Sequence, residues 1–169
     1  GQYDEAVKVF NSLVEPTIKS YAVDNLVFSL IKQGQLKHAE EVLSSVGNPS
    51  KKSFLTLHLA KAHIEKKNYS QAIELAKTIT VDDEQGKLLM DIIASLIEDA
   101  MIEDSISVLE VIPSIYYYNR SAILVVKALA EEGRLNEAMD IVRGFDDTDI
   151  RDECLAHIAA EGAKAGQPD

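Results

Sequence analysis

The chain has 169 residues, 46% apolar and 27% charged, a balance that supports a packed core under a charged surface. Its formal net charge of −11 argues against general attraction to nucleic-acid phosphates or anionic lipid, both of which need a cationic surface. No run approaches the roughly 18 apolar residues of a membrane span, and the single Cys154 cannot form an internal disulfide, so a soluble, cytoplasmic protein is expected.

Gly1 to Leu13 reads as an amphipathic helix, with Tyr3, Ala6, Val7, Phe10 and Leu13 spaced three and four apart, and Pro16 ends it. A longer helix is predicted from about Thr17 to Gln33 with Val23, Leu26, Val27 and Leu30 as its apolar stripe, and Gly34 supplies the turn that follows. Leu36, Ala39, Leu43 and Val46 line a second short helix, which Gly47-Asn48-Pro49-Ser50 breaks. The next long helix spans about Lys51 to Lys66, followed by a short one with Tyr69, Ala72, Ile73, Ala76 and Ile79 on its apolar face. The acidic link Thr80-Val81-Asp82-Asp83-Glu84 suits a helix start, and the helix it opens carries Leu89, Ile92, Ile93 and Leu96. Ile102, Ile106, Leu109 and Ile112 form another short face, closed by Pro113. Tyr116-Tyr117-Tyr118 reads as a linker leading to Ala122, Val125, Val126 and Leu129, with at least one ring exposed. Leu135, Ala138, Met139, Val142 and Phe145 follow, and a last long helix carries Leu155, Ile158 and Ala159. The sum is ten helices and no strand.

The same turn recurs at residues 1, 34, 67, 100, 133 and 166, a period of 33 without slippage, which is the mark of a repeat array. Five residues after each start stands a small side chain: Ala6, Ala39, Ala72, Ser105, Ala138. Close approach of the two helices of a pair explains why nothing larger is found there. Nine residues after each start stands a core residue: Phe10, Leu43, Ala76, Leu109, Val142. The chain is therefore expected to be a single helical-repeat domain over 1–169, a piece of a longer array. Val7, Phe10 and Leu13 lack a preceding long helix to cover them, so further repeats or self-association through uncapped ends is expected.

Gly34, Leu36, Ala39 and Pro49, and again Gly133, Leu135 and Ala138, resemble the tetratricopeptide repeat, and the resemblance runs through essentially the whole chain. It implies an all-α, right-handed α-solenoid of about five antiparallel helix pairs that acts as a non-catalytic scaffold for a protein or peptide partner. The period is one residue shorter than the family's, Val23 stands at its tryptophan position, and Lys67 and Ala100 replace glycine at two turns. The Gly-x-x-x-x-Ala turn also resembles pentatricopeptide repeats, which implies single-stranded RNA binding as the alternative, although an acidic chain suits a polyanion poorly. A helical regulatory arm of a larger enzyme is a further alternative.

No catalytic, cofactor or metal site is expected. Gly86-Lys87 lacks the first glycine of a phosphate loop. His58 and His63 are five apart, on different helix faces, and read as one surface and one packed histidine. Asp146, Asp147, Asp149, Asp152 and Glu153 lack the spacing of a calcium loop and read as helix-start acids.

In the tetratricopeptide family the ligand meets the long helices at 13, 10, 9, 6, 3 and 2 residues before each turn. Carried onto this chain, the resemblance implies a peptide-binding face that includes Tyr21, Phe28, Phe54, Leu57, Lys61, Lys87, Met90, Arg120 and Lys127. Its aromatic and apolar members lie toward one end and its cations in the middle. A peptide with hydrophobic anchors followed by acidic groups would complement it.

Overall fold

The computed structural model describes residues 1–165 and contains ten α-helices and no strand among them. The sixth turn start, at Gly166-Gln167, lies outside the described residues. The helices are α1 (Gln2–Asn11), α2 (Pro16–Lys32), α3 (Leu36–Ser44), α4 (Pro49–Glu65), α5 (Tyr69–Lys77), α6 (Asp82–Glu98), α7 (Ile102–Leu109), α8 (Ile115–Glu131), α9 (Leu135–Val142) and α10 (Thr148–Ala165). The long helices start at 16, 49, 82, 115 and 148, and the short ones after α1 at 36, 69, 102 and 135, so both sets keep the 33-residue period.

Each boundary has a local cause. Pro16 and Pro49 open α2 and α4 at the first helical position, where the missing N–H is no loss, so these prolines start the long helices and do not merely end the short ones. Glu15 and Asn48 cap those helices through Thr17 N (3.2 Å) and Lys51 N (2.9 Å). Asp147 does the same for α10, accepting from Asp149 N and Ile150 N, which gives one member of the acidic cluster a structural task. Tyr116, Tyr117 and Tyr118 belong to the first turns of α8, where a linker was expected. Tyr116 is exposed and the other two are half-buried.

The chain divides into two compact units, Gly1–Glu84 and Gln85–Asp169. In the first, α1 packs on α2 and α3, α3 also on α2 and α4, α2 on α4, and α4 on α5. In the second, α8 packs on α7, α9 and α10, and α9 on α10. The short helices α1, α3 and α9 thus each touch more than one element, which widens the face they bury. Val42 on α3 is buried for this reason, and Leu75 on α5 and Val108 on α7, likewise outside the stripes expected from sequence, are buried too. Val7 and Phe10 are buried, since α2 and α3 cover α1, and Leu13 is half-buried. The apolar residues left exposed there are Val9, Val14 and Ile18. The small column holds: Ala39, Ala72, Ser105 and Ala138 have no exposed surface, and the Ser105 hydroxyl donates to Ile102 O at 2.7 Å.

Four long helices end in the same turn. Residues 34, 67, 100 and 133 all adopt left-handed backbone, with φ of 70°, 58°, 57° and 76°. In each, that residue's N–H donates three residues back and the next N–H five back, as in Gly34 N to Ile31 O and Gln35 N to Leu30 O, both 2.8 Å. Lys67 and Ala100 make the same pair of bonds without glycine's freedom, at a cost of roughly 1 kcal/mol each.

Two predictions test this reading. Gly133 has open space around it, so Gly133→Ala isolates the backbone cost and should lose about 1 kcal/mol in urea unfolding, whereas Ala100→Gly should gain about 0.5 kcal/mol. Gly86, buried in α6, lies against Tyr117: a Cβ there would stand 2.6 Å from its Cδ2 and 2.9 Å from its Cγ. Helix propensity alone favours alanine by about 1 kcal/mol, but overpacking of this size costs about 1–3 kcal/mol. Gly86→Ala should therefore destabilise the wild type and stabilise the Tyr117→Ala variant, a sign reversal that a double-mutant cycle reads directly.

Candidate functional site

The positions singled out on the long helices can be taken unit by unit. In the first unit, Tyr21 and Phe28 lie on α2, Phe54, Leu57 and Lys61 on α4. Because α2 and α4 are packed together, Phe28 and Phe54 meet edge to face at 6.1 Å between ring centroids. His58 completes the group, 5.0 Å from Phe28 and 4.7 Å from Phe54, again edge to face. Such pairs contribute about 0.5–1.5 kcal/mol each beyond burial, yet Phe28 stays 38% and Phe54 49% exposed. Tyr21, 76% exposed, borders a shallow cleft with Asp24 and Lys51. There Lys51 Nζ donates to Asp24 Oδ2 at 2.9 Å and to Ser20 O at 2.7 Å, while Asp24 Oδ1 is buried without a partner. Leu57 is half-buried and Lys61 exposed.

In the second unit, Lys87 is exposed and Met90 half-buried on α6. Two of the expected cations are engaged within the protein. Lys127 Nζ donates to Glu153 Oε1 at 2.9 Å, and the Arg120 guanidinium lies 5.6 Å from the centre of the Tyr116 ring. Ala130, three residues before the turn at 133 and so at one of the expected ligand-facing positions, is buried. Phe28 and Phe54 thus lie together with His58, while Lys127 and Arg120 contact neighbouring side chains at the surface.

His58 stands nine residues before the turn at 67, one of the ligand-facing positions that the resemblance implies. Its spacing from Phe54, four residues on the same helix, was the available signal. His63 is the packed histidine, with Nε2 2.9 Å from Glu40 Oε1.

Cys154 is fully buried on α10, and burial first, then the adjacent Glu153 carboxylate, pushes its thiol up from the ordinary range. An aromatic disulfide reagent at pH 8 should label the folded protein no faster than it unfolds, and promptly in denaturant. Rapid labelling of the folded protein would contradict the burial.

Among the described residues no helix is long and apolar enough to cross a membrane, and no group of three or more His, Cys, Asp or Glu is placed to hold a metal ion. Comparison of the chain with protein-family models, with curated proteins and with solved structures gave no match in any of the three.

Proposed function

We propose that the chain is a tetratricopeptide-like, right-handed α-solenoid that acts without catalysis as a cytoplasmic scaffold, holding a peptide segment of a partner protein on its long helices. The observation that carries the reading is the half-exposed cluster of Phe28, Phe54 and His58. These rings stand at repeat positions that face away from the core and gain nothing from exposure to water. A partner side chain laid across them would remove roughly 80 Å² of each phenylalanine from water, about 2 kcal/mol per ring. The unbroken 33-residue period of the helix starts supports stacking of successive helix pairs.

The partner segment is expected to carry a large apolar or aromatic anchor. Acidic groups beyond the anchor matter less than the sequence implied, since Lys127 already has a carboxylate and Arg120 an aromatic face. Screening a random peptide library against the protein should yield ligands with such an anchor. Phe28→Ala and Phe54→Ala should each weaken those ligands about 30-fold while leaving the fold intact, because both rings are already partly solvated. Lys127→Ala should change affinity less than threefold. Ligands indifferent to both phenylalanine substitutions, or tight salt-dependent binding of single-stranded RNA in place of peptide, would overturn the reading.

A further inference from the structure

Beyond each short helix an apolar residue closes the junction with the next long one. At the position 12 residues after each turn start stand Leu13, Val46, Ile79, Ile112 and Phe145. Ile79, Ile112 and Phe145 are buried, whereas Val46, the smallest of the five, is half-buried. The position that follows is Thr80, Pro113 and Asp146 in the later repeats but Gly47 here, and a Cβ on Gly47 would meet nothing within 4 Å. At these two positions the junction after α3 holds less side-chain volume than the later ones. Both residues border a groove of about 340 Å³, which Phe10, Pro16 and Val23 also line.

Lys19 is the one charged residue on this groove. It is half-buried and makes no ion pair among the described residues, and its Nζ stands 5.2 Å from the centre of the Phe10 ring. Glu15, one turn earlier, is turned to the start of its own helix, where Oε1 accepts from Thr17 N at 3.2 Å. Lys51, whose Nζ reaches Ser20 O, already has the Asp24 carboxylate. Of the other polar lining residues, Ser45 gives its hydroxyl hydrogen to Val42 O at 2.7 Å, and Asn48 Oδ1 accepts from Lys51 N at 2.9 Å. An apolar groove therefore carries a single cation on its wall and no anion. Set against a ring and partly shielded from water, that ammonium group gains more from a carboxylate than it would on an open surface.

We infer that the groove binds a small organic acid with an aromatic or branched aliphatic body. The body lies against Phe10, Val23 and Val46, and the carboxylate accepts from Lys19 Nζ. Small-molecule pockets span about 300–1,000 Å³, and this groove stands at the lower end of that range, which suits a single ring with a short chain and not a length of peptide. None of Phe28, Phe54 and His58 lines the groove, so the inference is independent of the peptide surface.

The test is a titration of the isotopically labelled protein with phenylacetate at pH 7 and constant ionic strength, following the backbone amides of Val46, Gly47 and Asn48. Parallel arms use phenylacetamide and phenethylammonium, which keep the ring and replace the carboxylate by a neutral or a cationic group. Saturable shifts are expected for the acid with a dissociation constant on the order of 1 mM. The amide should bind about fivefold more weakly, and the ammonium compound should not saturate. Lys19→Gln, which copies Gln85 two periods later, should lower the affinity for the acid to that for the amide. Lys32→Gln, at the opposite end of α2, removes the same charge and should leave it unaltered. Val46→Phe, which copies Phe145, should abolish binding of acid and amide alike by filling the groove, and Val46→Ile, which copies Ile79 and Ile112 with a smaller change of volume, should weaken both. Shifts that rise linearly without saturating, equal affinity for the three probes, or unchanged affinity in Lys19→Gln or in either Val46 variant, each shown folded by circular dichroism, would overturn the inference.

Discussion

The turn that closes each long helix governs what the rest of the chain can do. A left-handed residue followed by a short helix reverses the chain within three residues, and it does so at 34, 67, 100 and 133 with the same two backbone hydrogen bonds. Because that geometry is fixed, the residue five positions after the turn start always falls where two helices approach, and only Ala or Ser is found there. Glycine is the cheap solution, but the geometry survives at Lys67 and Ala100. Packing of the flanking helices must therefore outweigh a backbone penalty of about 1 kcal/mol at each of those turns. The turn is a consequence of the packing as much as its cause.

That reciprocity explains what could be read from the amino-acid sequence and what could not. Helix order, the period and the small column were legible because each depends on near neighbours along the chain: a proline, a glycine, an apolar residue three or four positions away. Burial that depends on a third helix was not. Val42 lies off the main stripe of its helix and is buried because α3 packs on α1 and α4 as well as on α2. The same holds for Val7 and Phe10, which α2 and α3 cover. Pro16 and Pro49 were recognised as breaks, but a proline ends one helix and begins the next by the same steric property, and only the capping bonds of Glu15 and Asn48 assign the second role. Of the expected ligand surface, positions on adjacent long helices were legible from the repeat resemblance. The pairing of Lys127 with Glu153 was not, since it joins residues 26 apart through side-chain rotamers that no spacing rule reports.

Charge is distributed as unevenly as the aromatic residues. The first unit holds 10 lysines against 11 carboxylates, and the second holds 7 basic residues against 17 acidic ones, so nearly all of the net charge of −11 belongs to the second. Overall acidity thus says little about the surface of α1 to α5. A polyanion repelled by the second unit is not repelled by the first. The aromatic cluster of Phe28, Phe54 and His58 belongs to the same unit.

A repeat array separates constraint from freedom more cleanly than a globular core does. Positions that contact the next element must stay small or apolar, whereas those outside the contact can drift without loss of stability. Along the position 13 residues before each turn stand Tyr21, Phe54, Lys87, Arg120 and Glu153, all exposed and chemically unrelated. Stability cannot explain that variety, because none of these side chains is buried, and large rings there carry a solubility cost that a polar residue would avoid. Two adjacent helices nevertheless keep aromatic side chains at exposed sites and bring them into edge-to-face contact. Their clustering is the observation on which the proposed peptide contact rests.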